Sequence, residues 1–399
     1  MDPNKLFMIV FIGFLVFSLD KNQKKFPAPI ILVASGVILA FFPFLSTLNL
    51  TKEFIFDWIL PALLFISAYQ FPLHQLKQKA GLIITLGTLG IFLSAILLGM
   101  LLYAVGHLLI GISLAAAMVI AALLIPTDPV TVVSILKKSS DTHHLAEVVE
   151  GESLINDGTS VVIFSLFSGY YLNSEPLHFA LFTWEFIYTS LGGVLTGLVV
   201  GWVVPKGIHF IEYHAYQVWL SLLLAYGSFY AAEGLGVSGV LAVVISGLFL
   251  SKELAGNQKE KSLRRDLESF WGTIEPVLLS IIFILIGIES LDFFTTDGLL
   301  FALIGFTLSI IVRAVMLVFI LKSLPLWRNT YTKSDTLLLT WGGIKGTMSL
   351  ALLLGITGEA GAQDEGLLSL AFMMIMLSLM IQSVTFYPLK TKLDRTPAS

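Results

Sequence analysis

Thirteen long apolar stretches follow one another along the chain, and almost none of its charges falls inside them. They lie near residues 6–19, 28–44, 54–71, 80–105, 108–136, 146–171, 177–204, 215–232, 236–250, 268–288, 298–321, 335–356 and 366–387. About 20 apolar residues are needed for a helix to cross hydrocarbon, where only helices and closed barrels can satisfy their own backbone groups. The runs do not alternate in polarity as barrel strands do. Only 13% of the 399 residues are charged, against about 25% in soluble domains. These features predict an all-α polytopic membrane protein with about thirteen transmembrane helices, built as a single unit over 1–399 with no separate soluble domain.

The loops assign an orientation. Of the 23 Lys+Arg, 19 lie in the odd-numbered loops and the C-terminal tail. Only Lys5 and Lys52 lie on the opposite side, and Arg313 and Lys345 fall inside spans. Cations collect on the cytoplasmic side, so the N-terminus is expected outside and the C-terminus in the cytoplasm. Residues 1–19 have an apolar core followed by Asp20 and a Lys cluster rather than a small-residue cleavage site, so they read as the first helix. The 251–267 stretch reads as a solvated linker. With no cysteine, there are no disulfides or thiolate metal sites. No basic tract suits nucleic acid.

Two spans carry breakers at mid-membrane. The fifth contains Pro126-Thr127-Asp128-Pro129, and the twelfth contains Gly342-Gly343-Ile344-Lys345-Gly346. They are seven spans apart, and an odd shift reverses orientation. Spans one to six (1–171) and eight to thirteen (215–387) therefore read as inverted six-helix repeats, joined by a linker helix at 177–204. Interrupted helices at matching positions of two halves point to a transporter's binding site.

The sixth span reads Glu150-Gly151-Glu152-Ser153-Leu154-Ile155-Asn156-Asp157-Gly158. At ~100° per residue, Glu150, Ser153 and Asp157 share one face, with Glu152 and Asn156 on the neighbouring one. The first face offers a carboxylate and a hydroxyl one turn apart, hard oxygen ligands for a small cation. The second can turn a carboxylate toward a buried cation. Prolines at 126 and 129 cannot donate, which frees carbonyls beside the Thr127 hydroxyl. Asp128 precedes a new half-helix, where a carboxylate is favoured. Lys345, in the matching break, is expected to pair with Asp128.

A charge at mid-membrane costs at least ~2.5–3.5 kcal/mol, so each buried ionisable group needs a partner or a function. Asp128, Glu152 and Asp157 are anionic; Arg313 and Lys345 are cationic. One carboxylate is left over, and Asp157 is the best candidate. A proton or Na⁺ can neutralise it, but hardly both, and that exclusion couples two fluxes. Glu275, before Pro276, reads as protonated or facing the cytoplasmic end. Glu150 reads either as the mouth of the helix or as part of the site. His143 and His144, near the cytoplasmic entrance, read as surface histidines or as pH sensors.

The run Glu152 to Gly158, with Thr127-Asp128-Pro129 upstream and Gly342 to Gly346 downstream, resembles the monovalent cation/proton antiporter family, and more closely its NhaP-type prokaryotic members, relatives of the animal sodium/proton exchangers. The resemblance spans essentially the whole chain. It implies two crossed discontinuous helices and a homodimer with a dimerisation part and a core. It also implies elevator-like alternating access. The core parts would be 80–171 and 298–387. The Asn156-Asp157 pair resembles the electroneutral branch, whose relatives of the electrogenic branch carry two Asp there. The family's ion ligands fall on Thr127, Ser153 and Asp157, with Asn156 and Asp128 beside them. The family's buried ion pair falls on Glu152 and Arg313. Two positions depart from the pattern. Family members usually have Arg where Lys345 stands. Many have an acidic residue on the third span just after a stretch like Leu60 to Phe65, where this chain has Ile66 and then Ser67.

The sequence therefore reads as an electroneutral 1:1 antiporter of a bacterial inner membrane, exchanging Na⁺ (or Li⁺) for H⁺ in a lipid environment and needing no cofactor. K⁺/H⁺ exchange by the same machinery is the nearest alternative. A channel would call for rings of like residues from several subunits. A hydrolase would call for motifs the chain lacks: Gly-x-Ser-x-Gly, His-Glu-x-x-His, or a histidine at membrane depth.

Overall fold

The computed structural model describes residues 3–19, 28–42, 54–137, 142–173, 178–211, 213–254, 258–293, 298–323, 325, 327–328, 330–357 and 365–394. Among these residues every α or β element is helical. The α-helices are α1 (Pro3–Leu19), α2 (Ala28–Ala40), α3 (Leu60–Gln70), α4 (Leu73–Thr85), α5 (Ile91–Ile110), α6 (Leu114–Leu124), α7 (Val130–Leu136) and α8 (His143–Leu172). They continue with α9 (Phe179–Val203), α10 (His214–Glu233), α11 (Gly239–Glu253), α12 (Gln258–Phe293), α13 (Leu299–Ser323), α14 (Lys333–Trp341), α15 (Thr347–Thr357) and α16 (Glu365–Asp394). A π-helical turn at Phe54–Ile59 leads into α3, and another at Leu86–Gly90 joins α4 to α5.

These elements fall on the apolar stretches. Five helical runs are long and apolar enough to cross a membrane in one piece: Gln78–Ile110, Phe179–Gly207, Leu263–Ile288, Leu299–Ser323 and Gly366–Asp394. Five further apolar helices are shorter, Asn4–Leu19, Ala28–Ala40, Phe54–Gln70, Leu114–Leu124 and Thr347–Ile356, and two stretches are each split, into α6 and α7 and into α14 and α15. The loop cations Lys21, Lys24, Lys25, Lys52, Lys138 and Arg395 lie outside the described residues.

The charged stretch before 268 differs from expectation. From Gln258 it is already helix, so α12 runs for 36 residues and only 255–257 of that linker lie outside the described residues. Lys, Glu, Gln and Arg are good helix formers, and Arg264 pairs with Glu268 one turn on at 2.8 Å. The reading by polarity ended the helix where the chain merely left the apolar layer.

Helix α8 forms the centre. It packs on α4, α6, α7, α9 and α11, and its middle, from Gly151 to Asn156, is buried. Helix α12 packs chiefly on α2 and α1, while α13 packs on α5, α14 and α16. Helix α9 rests on α11 and α10 and turns Trp184, Leu191, Leu195, Val199 and Trp202 outward, each more than half exposed.

Candidate cation site at the crossed helix breaks

Proline and glycine stop the two split helices for different reasons. Pro126 and Pro129 supply no N–H, so α6 ends at Leu124 and α7 begins at Val130. Gly342 to Gly346 contains three glycines, and α14 ends at Trp341 while α15 begins at Thr347. The breaks cross in contact, the Asp128 N–H donating to the Ile344 carbonyl at 2.8 Å. Two glycines clear space here, Gly346 for the crossing itself and Gly343 for Arg313. A Cβ on Gly346 would stand 2.4 Å from the Asp128 Cβ, and one on Gly343 would stand 2.3 Å from the Arg313 Nε.

The Asp128 carboxylate joins the two new helix starts. Oδ1 accepts from the Val130 N–H at 3.0 Å, at the head of α7. Oδ2 accepts from the Thr347 N–H at 3.2 Å and its hydroxyl at 2.9 Å, at the head of α15. One anion thus caps two helices whose N-terminal ends carry partial positive charge. This corrects the expected Asp128–Lys345 pair. Lys345 is buried, its N–H donates to Ser378 Oγ at 2.9 Å, and it takes part in no ion pair among the described residues. Its charge lies within electrostatic reach of Arg313 and Glu152 instead.

Glu152 and Arg313 form a two-pronged pair. Arg313 Nη1 donates to Glu152 Oε1 at 2.8 Å and Nη2 to Oε2 at 3.0 Å. Glu152 is 2% exposed. The third prong, Nε, donates to the Leu339 carbonyl at 3.1 Å, and Gln382 Nε2 donates to the Trp341 carbonyl at 2.9 Å. Arg313 and Gln382 thereby serve the carbonyls that α14 leaves open where it stops.

On the other side of α8, the Ser153 hydroxyl donates to the Thr127 carbonyl. Asn156 Nδ2 donates to the Thr127 hydroxyl at 2.8 Å. Asn156 therefore turns toward Thr127, whereas its helical neighbour Glu152 turns to Arg313. Asp157 stands beside this group, and its buried Oδ1 has no hydrogen-bond partner among the described residues. Glu152, by contrast, is held on both oxygens.

A cavity of about 300 Å³ opens onto these groups. From α7, α8 and the first break it is lined by Thr127, Asp128, Ser134, Glu150, Ser153 and Asp157. Helix α3 contributes Ser67 and Gln70, and α12 contributes Glu275 and Leu279. It runs toward the end of the molecule where α3 and α7 finish and α8 begins. Glu150 belongs to the cavity and also pairs with Lys137 at 2.8 Å. His143 and His144 lie at the same end, beside a bridge between Lys79 and Glu147 at 2.5 Å.

Two features lay outside the expected site. Ile66 is buried in packing, and its neighbour Ser67, not Ile66, is among the residues that α3 presents to the cavity. Glu275 faces the cavity itself. Thr127, Ser153 and Asp157 all line this cavity, and their oxygens are of the hard kind that could hold a small monovalent cation, with the Asp157 carboxylate as the charge.

The family profile of the transmembrane sodium/hydrogen exchangers matches residues 7–392. The Na(+)/H(+) antiporter NhaH of Halobacillus dabanensis is 29% identical over 403 residues, covering 98% of this chain and 97% of NhaH. The Na(+)/H(+) antiporter NhaP of Pseudomonas aeruginosa is 30% identical over 345 residues, covering 85% of this chain and 80% of NhaP. In fold, the chain is similar to the solved sodium proton antiporter MjNhaP1 from Methanocaldococcus jannaschii, with a TM-score of 0.77, 20% identity and 98% of each chain covered. A match over nearly the whole length, on an all-helical frame of apolar segments, makes this a multi-pass membrane protein of the sodium/hydrogen exchanger family, with NhaP-type antiporters among its relatives.

Proposed function

We propose that the chain exchanges Na⁺ (or Li⁺) for H⁺ at Asp157, one for one and without net charge movement. The observation that carries this is the isolation of Asp157. Of the carboxylates around the breaks, Asp128 is held by two helix starts and Glu152 by Arg313, while Asp157 faces the cavity with a bare oxygen. A buried carboxylate in that position needs a cation or a proton. Ser153 and Thr127 supply further oxygens to a metal ion, and a proton needs none of them. The two substrates therefore exclude each other at one atom pair.

Alternating access would follow from movement of the core, 80–171 and 298–387, against the remaining helices. The thirteen spans would form inverted repeats, 1–171 and 215–387, about the helix at 177–204. The protein would work as a homodimer in a bacterial inner membrane, with its N-terminus outside, and serve pH homeostasis. In that orientation the cavity faces the cytoplasm.

K⁺/H⁺ exchange is the second reading, favoured by one feature: α3 brings Ser67 rather than a carboxylate to the cavity. Reconstitution into proteoliposomes with a proton-sensitive dye, offering Na⁺, Li⁺ and K⁺ in turn, separates the two. Proton flux driven by Na⁺ or Li⁺ but not K⁺ supports the first reading, and the reverse selects the second.

A further inference from the structure

We propose that Glu275 is the residue that draws cations into the site from the cavity side, and that it acts from that side only. The inference rests on the exchange reading above.

Four carboxylates line the cavity, and no Lys, Arg or His does among the described residues. Asp128 is fixed by its helix caps, and Glu150 is paired with Lys137. Asp157 and Glu275 remain. Glu275 makes no hydrogen bond or ion pair among the described residues, and its charge lies within electrostatic reach of Asp128. A carboxylate without a partner on the wall of a cavity of about 300 Å³ attracts a counter-ion. Pro276 follows it and removes one N–H from the ladder of α12 where the carboxylate faces the cavity, while the helix itself continues to Phe293.

The two free carboxylates sit on different parts of the molecule. Asp157 is on α8, with the crossed breaks. Glu275 is on α12, which packs chiefly on α2 and α1. If the core moves and α12 stays, Glu275 meets the arriving ion only while this cavity is open. It also supplies, from α12, a negative charge to a cavity whose α3 wall is Leu60, Leu63, Leu64, Ser67 and Gln70, with no charged group among them. Its loss should therefore weaken Na⁺ capture from one membrane face and leave the other face and the turnover step alone.

The test uses the full chain in membrane vesicles, everted to present the cytoplasmic face and right-side-out to present the other, at a pH where protons compete weakly. For Glu275→Gln the KM for Na⁺ should rise about fivefold in everted vesicles, as expected for one nearby charge screened by a cavity. In right-side-out vesicles the KM should stay within about twofold, and kcat likewise in both. Because the chain has no cysteine, Glu275→Cys provides a single thiol as a second variant. A sulfonate-bearing methanethiosulfonate should lower the KM of that variant, and a trimethylammonium-bearing one should raise it. An unchanged KM on the cytoplasmic face, an equal rise on both faces, or insensitivity to the sign of the attached charge overturns the proposal. Wild-type vesicles without any Na⁺/H⁺ exchange would defeat the underlying reading. Normal wild-type exchange with no effect at Glu275 would defeat this inference alone.

Discussion

The Asp128 carboxylate and Thr347 hold the crossed breaks together: one carboxylate oxygen accepts both the Thr347 N–H, at 3.2 Å, and its hydroxyl, at 2.9 Å. The other oxygen caps α7 through the Val130 N–H. Each cap is worth ~0.5–2 kcal/mol. Asp128→Ala should therefore lower stability by about 1–4 kcal/mol. Asp128→Asn, which keeps one acceptor, should lose less. Thermal unfolding of the detergent-solubilised variants checks the order. Equal stability of Asp128→Ala and wild type would mean that the caps contribute little.

The crossing also depends on Gly346. An added Cβ would meet the Asp128 Cβ at 2.4 Å, too close to be relieved without moving one break. Gly346→Ala should destabilise the fold by about 1–3 kcal/mol and slow exchange. Gly366→Ala, with no atom within 4 Å of the added Cβ, is the control and should leave transport unchanged. Transport and melting temperature measured on both variants decide whether the contact matters.

Glu152 and Arg313 make a second, separable prediction. Neutralising either one strands a buried charge, at ~3–5 kcal/mol. Glu152→Gln and Arg313→Gln should each lower the melting temperature strongly, and the double variant should recover much of the loss. Recovery should stay incomplete, because Arg313 also donates to the Leu339 carbonyl at 3.1 Å. A double variant as unstable as the sum of the singles would contradict the pairing.

How much of this was legible beforehand varies with the kind of information each feature needs. The apolar segments and both breaks could be read directly, because hydrocarbon penalises charge and because Pro and Gly act locally on the backbone. The residues alone call for a buried cation beside Glu152 but leave Arg313 and Lys345 both open; it is the family resemblance that implies Arg313, and the structure makes that pair. The extra bond from Arg313 to Leu339 was not legible. For Asp128 the sequence points to the wrong partner. Whether it meets Lys345 or the head of α15 depends on how two helices cross, and nothing local to residues 128 and 347 encodes that. Ser67 and Ile66 differ by one helical step of ~100°, finer than a span boundary can resolve. Glu275 reached the cavity through the rotation of α12, a long helix whose charged first turns were read as linker.

The proposed electroneutrality rests on there being one exchanging carboxylate. If Asp157 alone trades its neutralising ion, imposing a membrane potential should leave the Na⁺/H⁺ exchange equilibrium unmoved, and raising proton concentration should raise the apparent KM for Na⁺. Clamping the potential with K⁺ and valinomycin in proteoliposomes, once K⁺ transport is excluded, measures both. A clear shift of the equilibrium with voltage would require a second group carrying charge across.

The most direct measurement is Na⁺-dependent proton flux in proteoliposomes containing purified Asp157→Asn. Asn keeps the size of the side chain but cannot neutralise a cation or carry a proton in exchange. Because Asp157 Oδ1 accepts no hydrogen bond among the described residues, the substitution should leave the fold standing, with a melting temperature near that of wild type. The predicted result is a folded protein whose flux is indistinguishable from empty liposomes. Substantial Na⁺-driven proton flux through that variant would contradict the assignment of Asp157 as the exchanging group.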